Sequence, residues 1–286
     1  MSVPAEQLRK QAEQAVRSVG IPPRPAILTR LIRDLRADDP DFGKIGELIG
    51  GDAALAAAML KTVNSAAFGL STRASSVKHA LAILGMRTAG SLVTGLLLRQ
   101  AFPVNSHPLM ERFWETSSRI AALSMRIACE TRAIDPDAAH TLGLFRDCGM
   151  AVMLSKYPEY AAVVRGASQP DAPRLTDSEN LQFEVNHAII GQVMATDWML
   201  PAAVCDAVLH HHSPDAHRGR RSDLHQDTMR LIAVTTLADY TCAMAEGEAT
   251  SRDLCMCADF AALQLGLGAA GKDRFADLAV EETAAT

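Results

Sequence analysis

Apolar side chains recur along most of the chain at spacings of three and four residues, which is the spacing that brings one face of a helix against a core. Between Asp52 and Asn64, for instance, Leu55, Met59 and Val63 follow one another at every fourth position. No stretch of β-branched residues alternates with polar ones over a length that would predict a strand. The pattern therefore predicts an all-α protein.

Caps and helix breakers divide this pattern into separate helices. Asp41 and Asp52 are predicted N-terminal caps, because a carboxylate there accepts hydrogen bonds from the free backbone N–H groups of the first turn. Gly85 marks a joint between two helices, and the proline-containing segment 167–180 predicts a loop. The predicted helices cover residues 4–18, 25–37, 41–50, 52–64, 75–85, 86–101, 109–132, 136–156, 181–197, 201–212 and 224–246, with one or two weaker helices in 252–283.

Chain length and proline positions predict two helical lobes. A chain of 286 residues is long enough for one large domain or two packed lobes. Pro103 and Pro108 bracket the predicted linker, because a helix does not readily continue through proline. The predicted units are an N-terminal helix (1–19), a first lobe built as a helical bundle (20–102), a second helical lobe (108–246) and a C-terminal helical extension (247–286).

Charge and hydropathy argue against several classes of protein. The net charge of −5 and the pI of about 6.0 disfavour nucleic acid as the main partner, since neutralising phosphates requires a basic surface. Glu6 and Arg9 interrupt the apolar segment that a signal peptide would need. The longest uncharged run, Phe260–Gly271, is about a dozen residues, whereas a membrane span requires ~20. We therefore expect a cytoplasmic protein without a membrane partner, whose six cysteines are reduced.

Two aspartates occupy positions that a helical pattern turns toward the core. Asp147 shares a predicted helical face with Leu144 and Leu154, and Asp239 shares one with Ile232 and Thr236. A buried carboxylate must be ion-paired, hydrogen-bonded or metal-bound, because otherwise it would take up a proton. Both residues are therefore candidates for a polar or metal-binding cluster.

Histidines provide the other candidate ligands. His210, His211 and His212 end a predicted helix, and His187 lies on an apolar helical stripe. Consecutive helical residues point about 100° apart, so one or two of the three consecutive histidines at most can face a common site. The alternative is that they are surface histidines favoured by the helix dipole, and that His187 is a hydrogen-bonded core residue.

The order of several motifs along the chain is specific although no single one is. The motifs are Ile21–Pro25, Asp52–Gly69, Ser76–Gly85, Phe113–Trp114, Gly143–Gly149, Asn186–Gly191, Trp198–Pro201, His211–Pro214 and Leu237–Tyr240. Together they resemble the HDOD domain, a signalling branch of the HD phosphohydrolase superfamily, over about residues 20 to 245.

The resemblance implies an incomplete metal site. A working HD enzyme binds metal through a first His, a His-Asp pair and a late Asp, often with further histidines. Here Thr116 stands in place of the first His, and Arg146 in place of the His of the pair. The vestigial metal-site positions implied by the resemblance are Thr116, Arg146, Asp147, His187, His211, His212 and Asp239.

Arg146 decides what such a site can do. Arginine cannot lose its proton to ligate a metal. We hypothesise that Arg146 turns inward, pairs with Asp147 or Asp239 and substitutes for the missing ion. The alternative is that Arg146 points to solvent and that metal binding is merely weak. On the first hypothesis we expect no catalytic residue and no cofactor.

The expected function is therefore a non-catalytic regulatory module that acts through protein–protein contacts. The resemblance implies bacterial cyclic-dinucleotide or two-component signalling, with diguanylate cyclases, phosphodiesterases, two-component proteins or a second copy of the chain as partners. One alternative is a metal-dependent phosphohydrolase with a weakened site. Another is a phosphate or cyclic-dinucleotide sensor that uses Arg218, Arg220 and Arg221 in a charged loop, since arginine suits phosphate recognition.

Overall fold

All regular secondary structure is helical in the part of the chain that the computed structural model describes, as the sequence predicts. The described residues are 20–65, 73–102, 108–167, 172–218, 220–221, 223–247, 252–268 and 271–275. The helices are α1 (Ala26–Leu35), α2 (Phe42–Gly50), α3 (Ala53–Val63), α4 (Val77–Ala101), α5 (Pro108–Thr131), α6 (Pro136–Phe145), α7 (Cys148–Lys156), α8 (Tyr160–Ala167), α9 (Leu175–Phe183), α10 (His187–Asp197), α11 (Ala202–His210), α12 (Pro214–His217), α13 (Gln226–Ala245) and α14 (Arg252–Gln264), followed by a 3-10 turn (Gly271–Phe275).

The first lobe forms from the caps and stripes that its sequence predicts. Asp41 accepts hydrogen bonds of 2.8 and 3.1 Å from backbone N–H groups of the first turn of α2. Asp52 does the same for α3 at 3.0 Å. The predicted stripe of α3, Leu55, Met59 and Val63, is fully buried. Local signals therefore account for this part of the fold.

Helix α4 is the central helix of the first lobe. It bends at Gly85, whose φ of 76° is accessible to glycine, at the joint predicted from the sequence. Among the described residues it alone has the length and hydropathy of a membrane-spanning helix. However, half of its apolar window is buried inside the protein, where it packs against α1, α2, α3 and α6. This packing is typical of a core helix.

The second lobe contains two long helices, α5 and α13. Helix α13 packs on α5 and α11, and α10 packs on α7 and α11. Trp198, between α10 and α11, is fully buried against Phe145, and its indole N–H donates to the carbonyl oxygen of Pro22 at 3.2 Å. Arg24 donates to the carbonyl oxygen of Asp197 at 2.8 Å. The proline-rich motif of the first lobe is thus bonded to the turn between α10 and α11.

The predicted single helix 136–156 is wrong, because the chain breaks between α6 and α7. Asp147 has φ −105° and ψ 11°, outside the helical region. The new direction lets α7 approach the first turn of α10 closely, since a Cβ at Gly149 would lie 2.0 Å from the carbonyl oxygen of His187. Asp147 therefore lies at a helix junction rather than on a continuous helical face.

The predicted boundary between the loop 167–180 and the helix 181–197 is also wrong. Helix α9 covers part of the predicted loop, and the chain leaves it through Glu184 in the left-handed conformation, at φ 59°. Asn186 then caps α10 by accepting a hydrogen bond from the backbone N–H of Ile189 at 3.1 Å. The cap sets the start of α10 at His187.

The C-terminal part agrees with the prediction of weaker helices. Helix α14 and the 3-10 turn lie within 252–283, and the short helix α12 lies within the predicted charged loop. The predicted helix 4–18, the linker 103–107 and residues 276–286 fall outside the described residues.

Candidate functional site

Four side chains converge where the α6–α7 junction, the start of α10 and the end of α11 meet. Asp147, His187, His211 and His212 each offer one ligand atom, and these atoms all lie within 4.8 Å of one another. His187 and His211 are buried, whereas His212 is exposed to solvent. The chain leaves the helix after His210, and both following histidines can therefore face the same point. We call these four residues the histidine cluster.

Three of the distances between the ligand atoms are 3.5 Å or shorter. The Nε2 atom of His187 lies 3.0 Å from Nε2 of His212 and 3.5 Å from Oδ1 of Asp147. The Nε2 atom of His211 lies 3.1 Å from the same oxygen. Three imidazole nitrogens and one carboxylate oxygen therefore surround a single small volume.

The far nitrogens of two rings are anchored. Nδ1 of His211 lies 2.7 Å from the carbonyl oxygen of Val208, and Nδ1 of His187 lies 2.8 and 2.9 Å from the carboxylate oxygens of Glu179. Because these oxygens only accept hydrogen bonds, both Nδ1 atoms must carry the hydrogen. Nε2 of each ring faces Oδ1 of Asp147, so a protonated ring donates to that carboxylate and only a neutral ring offers a lone pair there. Anchoring of this kind is typical of histidines that hold a metal ion.

Glu179 is the residue of the site that sequence reasoning missed. It is fully buried, and it accepts hydrogen bonds from the hydroxyl of Tyr160 and from the backbone N–H of His187 at 3.1 Å. Burial opposes protonation of His187, but the carboxylates of Glu179 and Asp147 outweigh it and raise the pKa of His187 to about 9. No local signal separates Glu179 from the exposed Glu184.

The pKa values of Asp147 and His212 are both lowered, but for different reasons. Burial alone would raise the pKa of Asp147, yet Arg146, His187 and His211 hold the pKa of that carboxyl well below its usual range. His212 is accessible to solvent but surrounded by protein, and this desolvation, with the nearby His211 and His187, lowers the pKa of His212. A neutral His212 has a lone pair for an ion.

Arg146 turns inward, which confirms the hypothesis about its direction and excludes the solvent-facing alternative. Its Nε donates to Oδ2 of Asp147 at 2.8 Å, and its Nη1 lies 3.1 Å from Oδ2 of Asp239. Its side chain is only 13% exposed. The sequence predicted a pairing with one aspartate or the other, and the guanidinium pairs with both.

The two sides of Asp147 differ in how they fit a metal ion. An ion shared by Asp147 and Asp239 does not fit, because the guanidinium of Arg146 binds the facing oxygens of both. The histidine cluster does fit. A tetrahedral ion with bonds of roughly 2.0–2.1 Å places its ligand atoms about 3.4 Å apart. Three of the six separations, at 3.0, 3.1 and 3.5 Å, lie close to that, and the remaining ones do not exceed 4.8 Å.

The remaining predicted site residues lie outside the histidine cluster. Thr116 is half-buried on α5. Arg221 forms two hydrogen bonds with Asp223, at 2.7 and 2.6 Å, and the guanidinium of Arg218 lies over the ring of Phe260 at 5.8 Å. Arg220 is exposed. Two of the three arginines in the predicted phosphate-binding loop are therefore engaged with side chains of the chain itself.

A known protein is similar in sequence to most of this chain. A protein of Treponema pallidum (strain Nichols), which carries the name uncharacterized protein, is 27% identical over 233 residues. The match covers 80% of this chain but only 43% of that protein, so the chain spans less than half the length of this relative.

Three crystal structures show the same helical arrangement. An HDOD domain protein with unknown function from Geobacter sulfurreducens has a TM-score of 0.74 and 19% identity, with coverage of 98% of this chain and 96% of that one. A protein from Shewanella amazonensis SB2B, provisionally named a phosphohydrolase, has a TM-score of 0.73 and 18% identity, with 95% of both chains covered. A protein from Marinobacter aquaeolei VT8, provisionally named a signal transduction protein, has a TM-score of 0.64 and 16% identity, with coverage of 97% of this chain and 66% of that one.

The sequence profile of the HDOD domain matches residues 21–214, which is more than half of the chain and includes every member of the histidine cluster. Eight of the nine motifs that suggested the resemblance lie within this match, and Leu237–Tyr240, which contains Asp239, lies beyond its end. The chain belongs to the HDOD domain family.

Proposed function

We propose that this protein is a cytoplasmic, non-catalytic regulatory module of bacterial signal transduction, which acts by binding other proteins. The observation that carries the proposal is the guanidinium of Arg146, which pairs with both Asp147 and Asp239. A hydrolytic metal must offer water an open coordination position. A guanidinium neutralises the two carboxylates but has no such position.

The partners proposed are cyclic-dinucleotide enzymes, two-component proteins or a second copy of the chain. Support comes from the family to which the chain belongs and from the fold it shares with a protein named for signal transduction. The retained scaffold also fits a binding role, since the buried hydrogen bonds among Tyr160, Glu179 and His187 stabilise the site whether or not it hydrolyses anything.

Hydrolysis assays with Mn²⁺ test the proposal directly. We expect the wild-type protein to release no product from cyclic dinucleotides. The variant carrying both Thr116→His and Arg146→His restores the missing imidazoles, and we expect it to bind more Mn²⁺ than the wild type. Metal-dependent hydrolysis by the wild type that disappears in Asp147→Ala would overturn the proposal.

A second candidate function is a phosphohydrolase that uses one ion in the histidine cluster. The observation that favours it is the convergence of three Nε2 atoms and Oδ1 of Asp147 at distances that suit such an ion. A bound ion would supply Lewis-acid activation of water or phosphate. In this function Glu179 orients His187, and Arg146 neutralises the outer oxygen of Asp147.

Metal analysis combined with activity separates the two functions. His212→Ala removes a cluster ligand, whereas His210→Ala, two residues earlier, removes an imidazole outside the cluster and is the matched control. The second candidate requires bound metal and hydrolysis that are both lost in His212→Ala and both retained in His210→Ala. Metal loss without any hydrolysis in the wild type assigns the ion a structural role and leaves the first proposal standing.

A further inference from the structure

The C-terminal extension, whose described residues lie between 252 and 275, begins well after the end of the family match at residue 214. Helix α14 packs on α13 and α12 and buries Ala258, Ala261 and Ala262. Phe275 in the 3-10 turn is fully buried as well. The extension is therefore an integral part of the second lobe rather than a loose appendage.

The extension reaches the chain segment that follows the histidine cluster. The side-chain amide of Gln264, the last residue of α14, donates to the carbonyl oxygens of His217 and Ala216. The guanidinium of Arg218 lies over the ring of Phe260, also in α14. The extension thus holds the backbone of α12 from outside.

His217 in turn contacts the backbone of His211. Its ring is buried, and its Nε2 lies 2.6 Å from the backbone carbonyl oxygen of His211. Because a carbonyl only accepts, the ring donates this hydrogen bond. His211 follows the last residue of α11, where the end of a helix leaves carbonyl groups without intrahelical partners. The bond from His217 occupies one of them and restrains the backbone that carries the His211 ring.

The same extension contacts the other side of the site. The hydroxyl of Tyr240 donates to Asp273 at 3.1 Å, and Tyr240 directly follows Asp239 on α13. Lys272 pairs with Asp259 at 2.7 Å and lies over the Tyr240 ring, which ties the 3-10 turn to α14 and α13. Both the histidine side and the arginine side of the site therefore have a neighbour held by the extension.

We propose that Gln264 and His217 are positioning residues that fix the imidazole of His211 against Asp147, so that the C-terminal extension sets the geometry of the histidine cluster. Neither residue is a member of the cluster. Gln264 donates to the backbone carbonyl of His217, and His217 donates to the backbone carbonyl of His211. The inference holds whichever of the two candidate functions the site performs.

Imidazole ¹⁵N NMR and amide hydrogen exchange on metal-free protein test this inference. In Gln264→Ala we expect the Nδ1–H resonance of His211 to shift or disappear. The backbone amides of Ser213 and His217 should exchange about tenfold faster, the factor that corresponds to the loss of one hydrogen bond. The matched control is Leu263→Ala on the same helix, where the side chain is 58% exposed and neither signal should change.

A pair of variants at the second position distinguishes positioning from simple packing. His217→Gln keeps an N–H donor near the place of Nε2 and should retain the His211 resonance, whereas His217→Leu should lose it. An unchanged His211 resonance in Gln264→Ala, or equal loss of it in His217→Gln and His217→Leu, would overturn the inference. Neither readout involves metal or substrate, so the result is independent of the hydrolysis assays.

Discussion

The two oxygens of Asp147 face two different environments. Oδ2 meets the guanidinium of Arg146, which also binds Asp239, so that a permanent cation fills this side. Oδ1 meets the Nε2 atoms of His187 and His211, whose lone pairs converge when the rings are neutral. The carboxylate of Asp147 therefore pairs with a permanent cation through one oxygen and faces two candidate metal ligands through the other. The comparison shows that a guanidinium can occupy one side of a carboxylate while three imidazoles lie close to the other side.

Removing the charge of Asp147 should have the largest effect, because that residue serves both sides. Asp147→Asn leaves a nearly buried guanidinium with a single remaining partner, and breaking a buried pair in this way costs about 3–5 kcal/mol. Urea unfolding measures the loss. Asp239→Asn is the matched control: its side chain is 29% exposed, and we expect a cost of about 1–2 kcal/mol. Equal costs for the two variants would contradict the central place given to Asp147.

Glu179→Gln tests the histidine side alone. The change leaves the buried Tyr160 hydroxyl and the His187 ring with a poorer acceptor, and we expect a loss of about 2–3 kcal/mol. Glu184→Gln changes an exposed glutamate on the same stretch of chain and should alter stability by less than about 0.5 kcal/mol. The same unfolding experiment compares them, and a Glu179→Gln variant as stable as Glu184→Gln would show that the anchor is dispensable.

His140 sharpens the comparison because it is a buried histidine that pairs with no carboxylate in the described part of the chain. Burial lowers the pKa of His140 to about 4, whereas the carboxylates around His187 raise the pKa of His187 to about 9. A lowered folded-state pKa means that the unfolded chain binds the proton first as the pH falls below about 6.5. The contribution of His140 to stability is therefore present above pH 6.5 and is lost progressively down to about pH 4.

The variant His140→Gln isolates this effect. Between pH 7 and pH 5 the wild type should lose about 2 kcal/mol of unfolding free energy more than the variant does. The measurement is urea unfolding of both proteins at the two pH values. If the two proteins lose the same amount, His140 does not remain neutral in the folded state as its burial implies.

The first lobe shows why much of the fold could be predicted from the sequence. The Asp41 and Asp52 caps, the α3 stripe and the Gly85 joint all depend on residues within a few positions of one another. Such features are local, and local patterns report them. Tertiary contacts can shift a boundary, but they do not create these elements.

The site was less predictable because its key contacts join distant segments. The prediction that Asp147 is buried rests on a continuous helical face, and the structure has no such face. The helix breaks at Asp147, and the break lets α7 pack on α10. Glu179 was missed because its partners lie 19 and 8 residues away and on other helices. For Arg146 the sequence left two directions open, and the structure shows the inward one, in which the guanidinium pairs with two partly buried carboxylates.

The smallest predicted effect on stability compares two helix caps, one at the site and one remote from it. Asn186 caps α10, which begins at His187, and Asp52 caps α3 in the first lobe. Replacing either residue with alanine removes one capping hydrogen bond and should lower the free energy of unfolding by about 1 kcal/mol. Only Asn186→Ala should also shift the imidazole ¹⁵N resonances of His187, because fraying of the first turn of α10 moves the ring relative to Asp147. Equal stability losses with a His187 shift in Asn186→Ala alone would show that the cap contributes to the geometry of the site as well as to the helix. A His187 shift of the same size in Asp52→Ala would mean instead that the cluster responds to any loss of stability, and that the histidine side is held less rigidly than the anchoring of its rings implies.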